Sequence, residues 1–361
     1  MPAHPALIVG GGPAGAAAAI TLARAAMPHL LLERSRETGD ALCGGFLSWR
    51  TLETLAGLGI AAADLNPVPT LRTRLFAGTS VAESPLPRPA CSVSRHRLDT
   101  VLLAAAIGAG ARVERGVAVR EIGDSVRLDD GAELAADTVF LASGKHDVRG
   151  AARPAGARGS DPSLGLRVRI AAAPALAALV GDAVELHLFE RGYVGVALQE
   201  DGSANLCMAV HRSRLQEAGS PEALLAQLAA DHPALGERLA FRSGSEPIDA
   251  VANVPYGWHA AQGAPGLFRL GDQAGVIPSL AGEGMGIAIA SGVSAAAAHA
   301  AGLGGQAWQE RFARRIARPI GLADTIRSAA ENPLGARALV ATARALPASM
   351  GWAARMTRIA D

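Results

Sequence analysis

The chain has 361 residues, half of them apolar and 19% charged, which describes a globular protein of roughly two or three domains and excludes a fibre or a disordered chain. Its 34 basic and 33 acidic residues leave a formal charge of +1, without the basic footprint of a nucleic-acid binder. Cys43, Cys91 and Cys207 lack CxxC spacing, which argues against a disulfide framework or a zinc site and for a reducing, cytoplasmic compartment.

Residues 6–9 are an apolar strand; no basic stretch precedes them, so the N-terminus does not read as a signal peptide. A glycine turn at 10–15, a helix at 14–26 ended by Pro28 and a strand at 30–32 complete a β-α-β unit. Residues 43–60 read as a loop followed by a helix with Leu52, Leu55 and Leu58 on one face. The Pro-rich stretch 66–91 has short alternating segments and should cross to a second sheet. A helix at 96–109 and strands at 111–119, 125–128 and 138–142, with a turn at Asp129-Asp130-Gly131, return the chain to the first sheet. Strands at 164–170, 183–189, 193–198 and 204–210 suggest an antiparallel sheet, followed by a helix over 221–239 and a strand at 266–270. The apolar tract 285–305 is broken by Ser, His and Gly, so a packed internal helix is expected there rather than a membrane span.

Two motifs carry chemistry. In Gly10-x-Gly12-Pro13-Ala14-Gly15 the first glycine makes the tight turn, the second admits a pyrophosphate against the backbone, and the third lets helix pack on strand. The helix N-terminus favours phosphate. Glu33, eighteen residues after Gly15 and followed by Arg34, is placed to accept from a ribose. Far away lies Gly271-Asp272, then Pro278 and Gly282-Glu283-Gly284-Met285-Gly286. A strand ending in Gly-Asp aims a carboxylate at a ribityl hydroxyl, and the glycines that follow admit a flavin ring to the backbone. Two dinucleotide-type sites at opposite ends of one chain point to one long cofactor, FAD.

These segments, with Ser94 to Asp99 and Ala142-Ser143-Gly144, resemble the flavoprotein superfamily of aromatic-ring hydroxylases, geranylgeranyl reductases and flavin-dependent halogenases over most of residues 5–300. The resemblance implies an α/β fold: a Rossmann-like FAD-binding domain with a parallel sheet (1–66, 92–155 and 250–300), an inserted antiparallel substrate domain (67–91 and 156–249) and a helical C-terminus (301–361). It places Arg95 on the FAD diphosphate, Asp272 on the ribityl chain and Gly144 in the cofactor loop. Cys43-Gly44-Gly45 is similar to the segment that lies beside the flavin ring in the geranylgeranyl reductase branch.

The chain also departs from that pattern. Ser143 stands where hydroxylases that bind NAD(P)H carry an acid, so NAD(P)H is only one candidate electron donor. The prenyl-reductase Tyr-x-Trp-x-Phe-Pro segment corresponds to Tyr193-Val-Gly195-Val-Ala197-Leu, which implies a wider pocket, and the halogenase lysine and tryptophan signature is missing. Lys145, the sole lysine, reads as part of the cofactor loop.

The function expected first is a monooxygenase hydroxylating a lipophilic aromatic or polyketide-like substrate, as a monomer or homodimer. The alternatives are a reductase of prenyl double bonds and an electron-transfer protein without its own substrate. Cys43 and Tyr193 are the catalytic candidates, each also readable as packing. His146, His187, His211 and His259 have no ligand spacing and read as structural. From Trp308 onward nine arginines face four acids, a solvated helical face or, alternatively, a peripheral contact with anionic lipid.

Overall fold

A computed structural model describes residues 5–359; residues 1–4 and 360–361, which the expected terminal segments include, lie outside the described residues. The chain opens with β1 (Ala6–Val9), α1 (Pro13–Arg24) and β2 (His29–Glu33). Every residue of β1 is buried, as a parallel strand covered on both faces requires. There follow β3 (Phe46–Leu47), α2 (Trp49–Gly57), α3 (Ala62–Leu65), the hairpin β4 (Pro69–Ala77) and β5 (Ser80–Ser92), α4 (Arg95–Gly108) and β6 (Arg112–Arg115). The expected strand at 111–119 divides. Gly116, at φ +78°, turns the chain, so β6 stays in the first sheet while β7 (Val119–Ile122) joins β8 (Val126–Leu128) and β9 (Glu133–Leu134) in a small sheet of their own. β10 (Val139–Leu141) then completes the return to the first sheet.

Next come β11 (Ser163–Ile170), α5 (Pro174–Val180), β12 (Ala183–Phe189), β13 (Gly192–Leu198), β14 (Ala204–His211) and α6 (Arg212–Ala218). The helix expected over 221–239 is two, α7 (Pro221–Asp231) and α8 (Pro233–Leu239). His232 sits between them at φ −127°, ψ 88°, because a proline excludes the helical conformation from the residue before it. β15 (Asp249–Val254), β16 (Leu267–Arg269), α9 (Gly284–Ala300), α10 (Gly305–Ala330), α11 (Pro333–Ala345) and α12 (Ala348–Met356) finish the chain.

The first sheet has the order β16-β10-β1-β2-β6, with every pairing parallel. The second has eight strands, β15-β11-β14-β13-β12-β4-β5-β3, and roofs the site. It is mixed rather than antiparallel, since β12 returns beside β4 in the same direction after the long excursion through the first sheet. β15 pairs with β11, so Asp249–Val254 belongs to this sheet. On the other side of the first sheet, α9 lies against α1 so closely that a Cβ on Gly292 would sit 2.2 Å from the Ala14 carbonyl oxygen. Four successive alanines of α1, Ala16 to Ala19, are fully buried there. Among the described residues no helix is long and apolar enough to cross a membrane.

His211 fastens the roof to the C-terminal helices: its Nε2 lies 3.0 Å from the Glu331 carboxylate and its Nδ1 3.1 Å from that of Asp161. Glu331, and then Asp161, raise its pKa above the usual 6.5. A raised histidine contributes stability that is complete below its unfolded pKa and lost as pH rises through the folded value. Thermal melts should therefore show His211→Gln clearly less stable than wild type near pH 6 and closer to it near pH 9. A gap independent of pH would remove the charge from the explanation.

Candidate cofactor and substrate site

The turn between β1 and α1 is built for close approach. Gly10 has φ +106°, and a Cβ there would meet the Ala142 carbonyl oxygen at 2.5 Å. A Cβ on Gly15 would come within 1.9 Å of the Gly10 oxygen, whereas one on Gly12 would meet only Arg95 Nη2, at 3.3 Å. No side chain caps α1, which starts at Pro13, so the N–H groups of its first turn are left for a ligand. The Glu33 carboxylate is oriented by two backbone donors, Gly11 N–H at 2.7 Å and Ser35 N–H at 2.8 Å. Arg95 donates through Nε and Nη2 to Asp99 at 2.9 and 2.8 Å. That bidentate pair fixes the guanidinium beside Gly12 and leaves Nη1 for an anion. Arg34 donates to His146 Nε2 at 2.9 Å, and burial, aided by Arg34, lowers the pKa of His146 and keeps the ring neutral.

The cofactor loop and the far motif converge on the same groove. Lys145 Nζ donates to the Leu42 carbonyl at 3.2 Å, which makes it a tie for the loop before Cys43. Gly45 needs its positive φ of +76°, and a Cβ there would strike the Val93 oxygen at 2.6 Å; Gly44 faces open space. The Cys43 Sγ accepts from Gly45 N–H at 3.5 Å, and Asn205 Nδ2 holds the Cys43 carbonyl at 3.0 Å. Gln273, fully buried, donates to the carbonyls of Gly144 and His146 at 2.9 and 3.0 Å. It locks the Gly144 loop to the Gly271-Asp272 turn. Gly282 caps a short helical turn in the left-handed region, and Gly284 is open.

Gly10, Gly12, Pro13, Ala14, Glu33, Arg34, Cys43, Gly44, Gly45, Arg95, Gly144, Gly271, Asp272, Gly282, Gly284 and Met285 all line one cavity of about 1200 Å³. Gly15, Pro278 and Gly286 do not line it. Gly15 serves helix-to-strand packing, and a Cβ on Gly286 would press on the Glu283 carboxylate at 2.6 Å. The volume exceeds the roughly 300–1,000 Å³ of ordinary ligand pockets, and the cavity continues under the roof into a chamber walled by Leu75, Leu186, Leu188 and Met350. Tyr193 lines that chamber, and its hydroxyl lies 2.5 Å from Ser279 Oγ. Tyr256, which no motif singled out, reaches the same oxygen at 2.6 Å. Burial pushes the Cys207 thiol up to about 12, so this further lining residue stays neutral.

A second unforeseen feature closes the groove from behind. Glu283, 1% exposed, accepts from Ser48 Oγ at 3.0 Å and pairs with Arg358 at 3.2 Å. The Arg358 guanidinium also lies over the rings of Phe46 and Trp49, at 5.8 and 5.3 Å. Glu283 had a motif around it but no visible partner, because Arg358 is 75 residues further on.

An open Gly12 at an uncapped helix start, a pre-oriented Glu33 and the free edge of Arg95 fit an adenosine diphosphate; open Gly44 and Gly284 fit a flat ring. The family model for an FAD binding domain matches residues 3–150. The menaquinone reductase of Mycolicibacterium smegmatis is 28% identical over 156 residues, covering 40% of this chain; the chain spans only 38% of that relative's length. Three solved structures share the fold. The halogenase PltM, in complex with phloroglucinol and FAD, has a TM-score of 0.73 at 12% identity, covering 99% of this chain and 88% of its own. PqsL of P. aeruginosa scores 0.71 at 18%, covering 92% and 98%. A geranylgeranyl bacteriochlorophyll reductase-like protein of Thermoplasma acidophilum scores 0.72 at 19%, covering 94% and 90%. The chain thus carries an FAD-binding domain over residues 3–150, and FAD is its cofactor.

Asp272 has no hydrogen-bond donor on its carboxylate among the described residues; Arg153 Nη1 holds its backbone carbonyl instead, at 3.1 Å. Asp272→Ala should keep the fold and weaken FAD binding by tenfold to a hundredfold, the range of about 1.5–3 kcal/mol for hydrogen bonds to a charged group. Equilibrium titration of the apoprotein measures it, and unchanged affinity would take the ribityl role from this residue.

Proposed function

We propose that the protein carries out flavin-dependent reduction of a carbon–carbon double bond in a lipophilic small molecule. The observation that carries this reading is the seam at Cys43-Gly44-Gly45, where the dinucleotide groove opens directly into the apolar chamber. The similarity to a menaquinone reductase and to a geranylgeranyl reductase-like fold supports it. The bound isoalloxazine supplies the redox chemistry. The protein's part is position and exclusion of water: Gly44 leaves the approach to the ring clear, and the leucine walls and neutral Cys207 thiol keep charge out of the chamber.

The hydroxylase reading keeps one observation in its favour. Gly195 and Ala197 line the cavity on the same strand as Tyr193, which leaves width for a ring system. The C-terminal helices support a membrane-borne substrate in either case. Trp352 is 56% exposed and lines the cavity, Leu346 is 64% exposed, and Arg337, Arg344 and Arg355 are exposed beside them. Ser143 donates to the His146 carbonyl at 2.7 Å, so its hydroxyl is committed to the loop. A donor other than NAD(P)H is therefore the arrangement we favour.

The test is to mix photoreduced protein with a prenylated naphthoquinone without oxygen, reoxidise the ring in air, and weigh the product. Gain of two hydrogens on the side chain supports the reductase. Gain of one oxygen atom, only when oxygen is supplied during turnover, supports the hydroxylase. An unchanged substrate under both conditions rejects the substrate class.

A further inference from the structure

We infer that the chamber recognises a hydrogen-bond-accepting oxygen, of the carbonyl or quinone kind, on an otherwise apolar substrate through the hydroxyl cluster of Tyr193, Tyr256 and Ser279. The inference rests on the preceding reading only in taking this chamber as the substrate site. The chain has two tyrosines, one on β13 and one just past β15, and both hydroxyls reach Ser279 Oγ, at 2.5 and 2.6 Å. Three hydroxyls bring three protons, and two hydrogen bonds use two of them. Among the described residues none of the three has another side-chain or backbone acceptor, so one O–H is left to donate.

Its location follows from burial. Tyr193 is 3% exposed, and leaving a buried donor unmade is costly, so Tyr193 donates to Ser279. The remaining donor is then the hydroxyl of Ser279 or of Tyr256. Both residues line the cavity, and Ser279 is the exposed member of the cluster. Burial raises both phenols above their ordinary values, which keeps them protonated at neutral pH. The Arg327 guanidinium over the Tyr256 ring, at 5.4 Å, holds that ring in place. A single donor in an apolar wall discriminates by omission: a ligand with no acceptor leaves it unsatisfied.

The experiment compares equilibrium binding of menadione with that of methylnaphthalene, the same ring system without carbonyls, to the FAD-loaded protein by the change in flavin absorption. Wild type should prefer menadione by about tenfold or more. The variant Y193F/Y256F/S279A should bring the ratio close to one while retaining FAD. Y193F alone should retain part of the preference, because two hydroxyls and one bond still leave a donor. No preference in wild type, or an undiminished preference in the triple variant, overturns the inference. If the triple variant does not fold, the infrared carbonyl stretch of menadione bound to wild type decides: a lowered frequency relative to hydrocarbon solvent is expected, and an unshifted one overturns it. Binding needs no turnover, so a carbonyl preference without double-bond reduction would sink the proposed reaction and leave this recognition standing.

Discussion

Gly12→Val is expected to give a folded protein that no longer retains FAD, whereas Gly15→Val is expected to damage the fold itself. The two glycines lie three residues apart in one motif, and their surroundings separate them. Gly12 is extended, with φ −69° and ψ −174°, a conformation valine accepts readily. The Cβ would touch only Arg95 Nη2, at 3.3 Å, a contact that a movement of a few tenths of an ångström relieves. What the branched side chain would fill is the space at the start of α1 where a pyrophosphate must approach the backbone. The loss should be about a hundredfold or more, ~2.7 kcal/mol, with the melting temperature of the apoprotein nearly unchanged. In Gly15 the added carbon would fall 1.9 Å from the Gly10 carbonyl oxygen, so helix and turn must part before any ligand binds. Paired measurements of FAD affinity and apoprotein stability check both statements. Full flavin occupancy in Gly12→Val would remove the diphosphate from this turn.

The second large effect belongs to Arg358→Ala. Glu283 is almost completely buried, and its pKa is already raised by that burial against the opposing pull of Arg358 and Ser48. Removing one partner of a buried pair typically costs about 3–5 kcal/mol because the other charge is left uncompensated. The sign of the pH dependence follows. An acid whose folded pKa is raised holds its proton more readily in the native state, so its contribution to stability falls as pH rises through the interval between the unfolded and folded values. Without Arg358 that interval extends upward. Denaturant unfolding should therefore show the larger loss near pH 8 and a smaller one near pH 5. The double variant Glu283→Gln with Arg358→Met should recover most of the stability at both. Equal losses at the two pH values in the single variant would mean that lost packing over Phe46 and Trp49, rather than a stranded charge, is responsible.

What the sequence made legible was local or carried by a motif. The β-α-β unit, the Gly-Asp turn and the packed helix expected over 285–305 all have patterns that fit within about 30 residues; the structure forms all three, the helix ending at Ala300 rather than at 305. The errors arose where distant pairing decided the outcome. The run 111–119 alternates apolar and charged residues from Ala111 to Glu114 and turns apolar again at Val117, so it reads as one strand, yet Gly116 sends its two halves to different sheets. The roof looked antiparallel because its consecutive strands are, and the parallel seam between β12 and β4 joins segments more than a hundred residues apart. For the site, Gly12, Glu33 and Arg95 stood in recognisable spacing, whereas Tyr256, Ser279 and Arg358 stood in none. The scarcity of tyrosine was the one available clue: with only two in the chain, asking whether they meet costs little.

The strand order β16-β10-β1-β2-β6 also has a kinetic side. β1 is flanked by β2 and by β10, and the sheet edge beyond β10 is β16, more than 250 residues downstream of β1. Pairings so distant in sequence must close long loops before they return any stability, which makes folding slow. The dinucleotide groove draws its walls from the same remote pieces, so a bound cofactor acts across the whole loop as a template, holding early and late segments together while the sheet is assembled. Refolding by dilution from denaturant should accordingly be faster and more complete in the presence of FAD.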